Sequence, residues 1–214
     1  MRDITVPIKP LLYNGLSRGK TVEALFLKKN KEGINIMKKY VIIAGVPRAG
    51  KSTISKRIAK QKGYQHISMD AILAGIEKIF PECKINTNES EDALKNYRYI
   101  SSKIAPFIRE MINSGEYEEC NYGVVIDVYQ LTPYDFQMYI ADEKSEGYFF
   151  ITPDITPEER FNVLKQYDTP DDYTYFHSDE QNMNDCRDIV QISNWIKKEC
   201  GIYNLPYVDT TYNR

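Results

Sequence analysis

Eight consecutive residues, Gly45-Val-Pro-Arg-Ala-Gly50-Lys51-Ser52, combine glycines, a lysine and a hydroxyl group at a spacing that could bind phosphate. The two glycines allow the backbone to curl so tightly that successive amide N–H groups converge on one anion. The lysine would then reach the terminal phosphates of a nucleotide, and the serine hydroxyl would bind Mg²⁺. The predicted nucleotide-phosphate site comprises Gly45, Val46, Pro47, Arg48, Ala49, Gly50, Lys51, Ser52 and Thr53.

The segments on either side of this motif have the patterns that such a site needs. Residues 40–44 form a continuous apolar run, which predicts a strand buried on both faces. Residues 51–61 place apolar side chains on one face of a helix, and Gly63 follows as a stop signal. A helix beginning at Lys51 would direct its positive N-terminal end at the same anion.

Strand-like and helix-like segments alternate along the rest of the chain. Further strands are predicted over residues 64–68, 122–127, 148–152 and 206–209, and further helices over 70–80, 90–114, 157–167 and 179–200. Alternation of this kind predicts an α/β fold of three layers, in which helices flank a parallel sheet of five strands.

The composition excludes several classes of protein. No apolar run approaches the roughly 18 residues that a membrane-spanning helix requires. The four cysteines are scattered without a CxxC pair, which argues against a disulfide framework and against a zinc site. We therefore expect a cytoplasmic protein without a membrane partner.

The first 36 residues differ from the rest in charge. Residues 1–38 contain eight Lys or Arg against three Asp or Glu, yet they lack the amphipathic stripe or interleaved aromatics of a nucleic-acid or lipid-binding arm. We predict a basic, disordered extension over residues 1–36 and a domain over 37–214, with no nucleic-acid partner. Lys31-Glu32-Gly33 could also be encoded by a ribosome-binding sequence, so that the extension would be a translated leader and Met37 the natural start.

The motif and the order of elements resemble those of the small P-loop kinases, over roughly residues 39–211. This group contains nucleoside monophosphate kinases, shikimate and gluconate kinases, and zeta-toxin-like and polynucleotide-kinase-like enzymes. The resemblance rests on the P-loop (residues 45–52), Asp70 and Asp127. It implies an enzyme that uses ATP and Mg²⁺ and transfers the γ-phosphoryl group to a hydroxyl or phosphate of a small molecule.

The resemblance implies a role for each of two aspartates. Asp70 follows the second predicted strand, where such kinases carry an acid that orients or deprotonates the acceptor hydroxyl; capping of the following helix is the alternative. Asp127 ends the predicted strand 122–127 and would hold Mg²⁺ together with Ser52, through water; a structural role is the alternative. Together with Lys51, Asp70 is a predicted catalytic residue.

A lid should follow the fourth strand. Thr156, Pro157 and Glu159 predict a capped helix start, and Arg160 on that helix could stabilise the transferring phosphoryl group, or it could be a surface residue. The polar and aromatic stretch 167–177 could close over a substrate or be a surface loop.

Arg98 and Arg109, on the long predicted helix 90–114, could bind an anionic acceptor, or they could be solvated helix charges.

Two further functions stay open at this level. One is a nucleoside monophosphate kinase, although Val128-Tyr129-Gln130 replaces the arginine-containing loop that such enzymes carry after the acid. The other is a nucleotide-binding module without an acceptor. The sequence contains no guanine-reading NKxD motif, which weakens this last alternative.

Overall fold

The computed structural model describes residues 38–87, 92–117 and 122–212. The predicted extension over residues 1–36 and the predicted domain start at Met37 lie outside the described residues. Among the described helices, none is both long enough and apolar enough to cross a bilayer.

Five strands form one sheet in the spatial order β2-β3-β1-β4-β5. All four neighbouring pairs run parallel. The strands are β1 (Tyr40–Gly45), β2 (Gln65–Ser68), β3 (Val124–Asp127), β4 (Ser145–Ile151) and β5 (Tyr207–Asp209). Every residue of β1 and β3 is buried, which explains why both are apolar except for Asp127 at the end of β3.

Helices alternate with the strands and pack against the sheet. The predicted α/β fold with a five-stranded parallel sheet is therefore confirmed. The helices are α1 (Lys51–Lys62), α2 (Met69–Ile79), α3 (Ala93–Asn113), α4 (Pro157–Tyr167) and α5 (Asp179–Tyr203), with short helical turns at Pro81–Cys83, Pro133–Asp135, Phe136–Ile140 and Tyr173–Phe176.

Strand β4 starts three residues earlier than the prediction over 148–152. Its first residue, Ser145, lies opposite Tyr40 in the register of the parallel pair with β1. Ser145 and Glu146 lack the apolar character of a central strand, so the sequence pattern conceals them. The register is set by pairing with β1, not by local preference.

The start of α4 is confirmed as predicted. The Thr156 hydroxyl accepts a hydrogen bond from the Glu159 amide at 3.2 Å, and the Glu159 carboxylate accepts one from the Thr156 amide at 2.9 Å. Pro157 occupies the first turn, where its missing N–H costs nothing. This capping box fixes where α4 begins, and thereby where Arg160 lies.

The strand order places a switch point at β1. From β1 the chain passes through α1 to β2 on one side of the sheet, whereas from β4 it passes through α4 and α5 to β5 on the other. In open parallel sheets, ligands bind beyond the carboxyl ends of the strands at such a point. The P-loop follows β1 directly and lies at this position.

Candidate active site

The P-loop begins with a backbone contact that only glycine permits. Gly45 has φ +122°, and a Cβ built on it would lie 2.0 Å from the carbonyl oxygen of Phe150 in β4. The next amide, that of Val46, donates a hydrogen bond to the same carbonyl at 3.0 Å. The loop is therefore fastened to the neighbouring strand at its first turn.

The loop ends at a helix N-terminus that has no side-chain cap. Gly50 is the N-cap residue of α1, with φ +82° and no capping hydrogen bond from a side chain. The first amides of a helix lack intrahelical acceptors, so they are available to an anion. Ser52 and Thr53 on this first turn are exposed and line the adjacent cavity.

Lys51 is almost completely buried, and its side chain reaches back to the start of the loop. Its Nζ donates a hydrogen bond to the carbonyl oxygen of Val46 at 2.8 Å and lies 5.8 Å from the centre of the Tyr129 ring. Burial lowers the pKa of Lys51, whereas the negative charges of Asp70 and Asp127 raise it in part. The two carboxylates thus favour the charged ammonium in a poorly solvated position.

Asp70 lies in the first turn of α2, at the carboxyl end of β2. Its carboxylate accepts a hydrogen bond from the Tyr129 amide at 3.0 Å, and Ser68, not Asp70, occupies the N-cap position. Desolvation raises the pKa of Asp70, against the lowering effects of Lys51 and the Tyr129 amide. A carboxylate held in this way is suited to accept a proton.

Asp127 is buried at the end of β3, with 2% of its surface exposed. Its Oδ1 has no hydrogen-bond partner among the described residues, and its Oδ2 lies 3.8 Å from Nε2 of His66. A buried carboxylate oxygen without a partner needs a cation or water. Asp127 together with the Ser52 hydroxyl therefore fits a Mg²⁺ ion that keeps several waters.

The P-loop, Lys51, Ser52 and Asp70 line a cavity of about 880 Å³, whereas Asp127 is not among its described lining residues. Its walls come from the P-loop, from the first turns of α1 and α2, from α3, from the segment after β3, from the 168–178 loop between α4 and α5, and from α5. The lining residues are Pro47, Arg48, Gly50, Lys51, Ser52, Thr53, Asp70, Thr87, Ala93, Asn96, Tyr97, Tyr129, Gln130, Asp172, Tyr173, His177, Asp185, Asp188 and Ile189.

Arg160 lies beneath the P-loop and not at the cavity surface. Only 1% of the residue is exposed, and Nη2 donates a hydrogen bond to the carbonyl oxygen of Arg48 at 2.9 Å. The sequence-based alternative of a surface residue is therefore wrong. In this conformation the guanidinium supports the loop that would hold the phosphates.

Arg48 joins the P-loop to the 168–178 loop. Its Nη2 lies 2.9 Å from Oδ1 of Asp168, and Nη1 forms an ion pair with Asp172. Asp168 in turn accepts a hydrogen bond from the Thr174 hydroxyl at 2.6 Å. The 168–178 loop is thus held against the P-loop, and its residues Asp172, Tyr173 and His177 reach the cavity.

The two arginines proposed for acceptor binding lie elsewhere. The Arg98 guanidinium stacks over the Trp195 ring at 5.8 Å, and Arg109 Nη1 pairs with Asp142 Oδ2 at 2.7 Å. Neither is among the described residues that line the cavity. The alternative of structural or surface charges on α3 fits both.

Sequence reasoning missed Asp185 and Asp188, which face the cavity from α5. Their spacing of three residues places them on one helix face, next to Ile189. An exposed helix commonly carries such a pair, so the spacing alone gives no signal of a site. Tyr129 was noted only as a departure from the adenylate-kinase loop, although it contacts both Lys51 and Asp70.

The site and the sheet define a P-loop α/β domain, and comparison with known proteins gives similarity in structure only. No protein-family model matches the chain, and no curated protein matches it in sequence. Among solved structures, the chain is similar to shikimate kinase from Acinetobacter baumannii in complex with shikimate, at 14% identity and a TM-score of 0.46, covering 80% of this chain and 83% of that one.

Two other solved structures have similar coverage. Shikimate kinase from Bacteroides thetaiotaomicron shares 14% identity at a TM-score of 0.44, covering 82% of this chain and 88% of that one. Dephospho-CoA kinase from Campylobacter jejuni shares 15% identity at a TM-score of 0.38, covering 82% and 90%. The fold itself is defined by the strand order and the parallel pairing of this chain.

Proposed function

We propose that the protein is an ATP-dependent phosphotransferase that moves the γ-phosphoryl group of ATP to a hydroxyl group of a small molecule. One observation carries this proposal. The P-loop lysine, the first turn of α1 and the Asp70 carboxylate all face a single cavity that extends well beyond the P-loop. A site that bound only a nucleotide would not need the space beyond the P-loop, and it would not need the Asp70 carboxylate.

In the proposed reaction, the acceptor hydroxyl oxygen forms a bond to the γ-phosphorus while the bond from that phosphorus to the β,γ-bridging oxygen breaks. Asp70 accepts the hydroxyl proton and passes it to solvent, and ADP and a phosphate ester are the products. Lys51 stabilises the charge on the phosphate oxygens, and the amides of the loop orient them. Catalysis by these residues is mainly positioning and charge stabilisation.

Ser52 and Asp127 would hold Mg²⁺, Asp127 through water. When bound, the ion would neutralise charge on the β- and γ-phosphates. No cluster of three or more potential protein ligands occurs among the described residues. Such a cluster is not needed for Mg²⁺ bound mainly through substrate phosphates and one or two protein oxygens.

Arg160 has a positioning role in this proposal. Its bond to the Arg48 carbonyl supports the P-loop from below. A loop that must present several amides to one anion requires a fixed backbone, so loss of the guanidinium would weaken phosphate binding.

The proposal is tested by titrating Mg²⁺ and ATP into the full chain by calorimetry and then measuring ADP release with pools of hydroxyl compounds. Lys51→Ala should reduce turnover by about a thousandfold, because a charge that stabilises the transition state is lost. Lys56→Ala, an exposed lysine of the same helix, serves as the control and should keep full activity. Absence of MgATP binding by the folded protein would refute the proposed function.

A further inference from the structure

We infer that the acceptor is a hydroxyl compound that carries a protonated amine, recognised by Asp185 and Asp188 on the cavity wall of α5. The inference rests on the proposed function, because it assigns a substrate class to the same cavity. It follows from the charges and the aromatic groups that line the cavity and do not belong to the P-loop.

The fixed positive charges of the lining belong to the segment that would bind the phosphates. Besides His177, the basic residues among the described lining residues are Arg48 and Lys51, which belong to the P-loop and the first turn of α1. Arg48 is already paired with Asp168 and Asp172. These two cations lie where the phosphates of ATP would be bound, so they serve the nucleotide and not the acceptor.

The rest of the lining carries negative charge. Asp70, Asp185 and Asp188 belong to it, and Asp188 is half-buried. Burial raises the pKa of Asp188, and the nearby carboxylates Asp185 and Asp92 raise it further. A carboxylate in such surroundings is stabilised by a cation that arrives with a ligand.

His177 is a further ionisable residue of the cavity lining. Its Nδ1 lies 3.3 Å from Oδ2 of Asp185. Even a protonated His177 would balance only one of the two α5 carboxylates.

Aromatic rings complete the wall. Tyr97, Tyr129 and Tyr173 line the cavity, and the Tyr97 and Tyr129 rings pack edge-to-face with their centres 5.5 Å apart. Carboxylates combined with aromatic rings form a surface that attracts ammonium groups. The same surface repels phosphate and carboxylate groups, which need arginine or lysine donors.

The inference is tested with three pools of hydroxyl compounds that differ in charge. The amine pool contains glucosamine, galactosamine and serinol; the neutral pool contains glucose, galactose and glycerol; the anionic pool contains gluconate, galactonate and glycerol phosphate. ADP release and the mass of the product are measured after MgATP binding has been established by calorimetry. We expect phosphorylation to be fastest, by at least about tenfold, with an amine.

Substitutions on α5 test whether Asp185 and Asp188 bind the amine of the acceptor. Asp185→Asn and Asp188→Asn should each raise KM for the active amine by about tenfold, the effect of losing one charged hydrogen bond, while KM for ATP stays unchanged. Glu180→Gln, an exposed acid of the same helix outside the cavity, is the matched control. N-acetylation of the active amine should cause a similar loss, and the loss should not add to that of Asp188→Asn.

The outcomes separate the two proposals. Faster transfer to a neutral or anionic compound, or no transfer to any pool while MgATP still binds, overturns the inference about the acceptor. An amine substrate whose KM is unaffected by both asparagine variants also overturns it. Failure of the protein to bind MgATP is a different result, because it removes the proposed function itself.

Discussion

The two walls of the cavity are built in different ways. The wall that is proposed to bind phosphate, here called the phosphate wall, comes from one continuous segment, residues 47–53, which offers backbone amides and a lysine. The opposite wall comes from α2, α3, the segment after β3, the 168–178 loop and α5, and it presents carboxylates and aromatic rings. One wall depends on backbone conformation, whereas the other depends on side chains brought together by the fold.

This difference predicts how each wall tolerates change. A backbone site fails when a loop dihedral or a close contact is altered, even by one methyl group. A side-chain site loses one interaction at a time, since each substitution removes a single group. The phosphate wall should therefore tolerate few substitutions, whereas the opposite wall should tolerate substitutions that change the proposed acceptor.

The largest expected effect is that of Gly45→Ala. The new Cβ would lie 2.0 Å from the Phe150 carbonyl oxygen at a φ of +122°, so β1 and β4 must separate or the loop must refold. We expect a loss of about 3 kcal/mol or more in the free energy of unfolding, measured by chemical denaturation.

Gly75→Ala is the control for that substitution. Gly75 lies within α2, and no atom lies within 4 Å of the position of its Cβ. Alanine there should stabilise the protein by about 1 kcal/mol, because it favours the helix. Equal stability of Gly45→Ala and the unmodified protein would contradict the account of the phosphate wall.

The second effect concerns a single side chain of the opposite wall. Asp70→Asn keeps the shape of the residue but removes the proton acceptor, so kcat should fall by roughly a hundredfold or more. The affinity for MgATP, measured by calorimetry, should change by less than about threefold, because the proposed phosphate site lies on the other wall. Glu110→Gln, an exposed acid of α3, is the control, and full activity of Asp70→Asn would exclude the role of Asp70 as base.

The smallest expected effect is a shift in pH dependence that involves one group from each wall. Asp70 must be deprotonated and its pKa is raised by desolvation, so activity should fall with decreasing pH before an ordinary aspartate would protonate. Lys51 must be protonated and its pKa is lowered by burial, so activity should fall with increasing pH earlier than for an ordinary lysine.

The plot of kcat/KM against pH should therefore be bell-shaped. The bell should be narrower than one set by the ordinary pKa values of an aspartate and a lysine. In Asp70→Asn the residual activity should lose its acidic limb and keep a basic limb that lies at lower pH, because the Asp70 charge no longer raises the pKa of Lys51. An unchanged acidic limb in that variant would assign the titration to another group.

The phosphate wall could be predicted from sequence because its geometry is local. The strand, the two glycines and the helix start are consecutive, and each has its own sequence signal. The positions of Asp70 and Asp127 at strand ends followed from the same alternation of elements, since parallel strands end at one edge.

The opposite wall could not be predicted because its members are distant in sequence. Asp188 lies more than a hundred residues after Asp70, on a helix whose polar face resembles that of any surface helix. The burial of Arg160 depends on how α4 lies against the P-loop, which no local pattern encodes. The absence of Arg98 and Arg109 from the described lining likewise follows from the direction that α3 takes.

The ion pairs of Arg48 connect the P-loop to the 168–178 loop on the opposite wall of the cavity. Any ligand that draws this guanidinium toward itself must break its bonds to Asp168 and Asp172, and so loosen the 168–178 loop that carries Tyr173 and His177. By thermodynamic reciprocity, a molecule that fixes this loop in place alters the affinity of the P-loop for its anion by the same factor. The ion pairs of Arg48 would thus couple ligand binding at the P-loop to ligand binding beside the 168–178 loop.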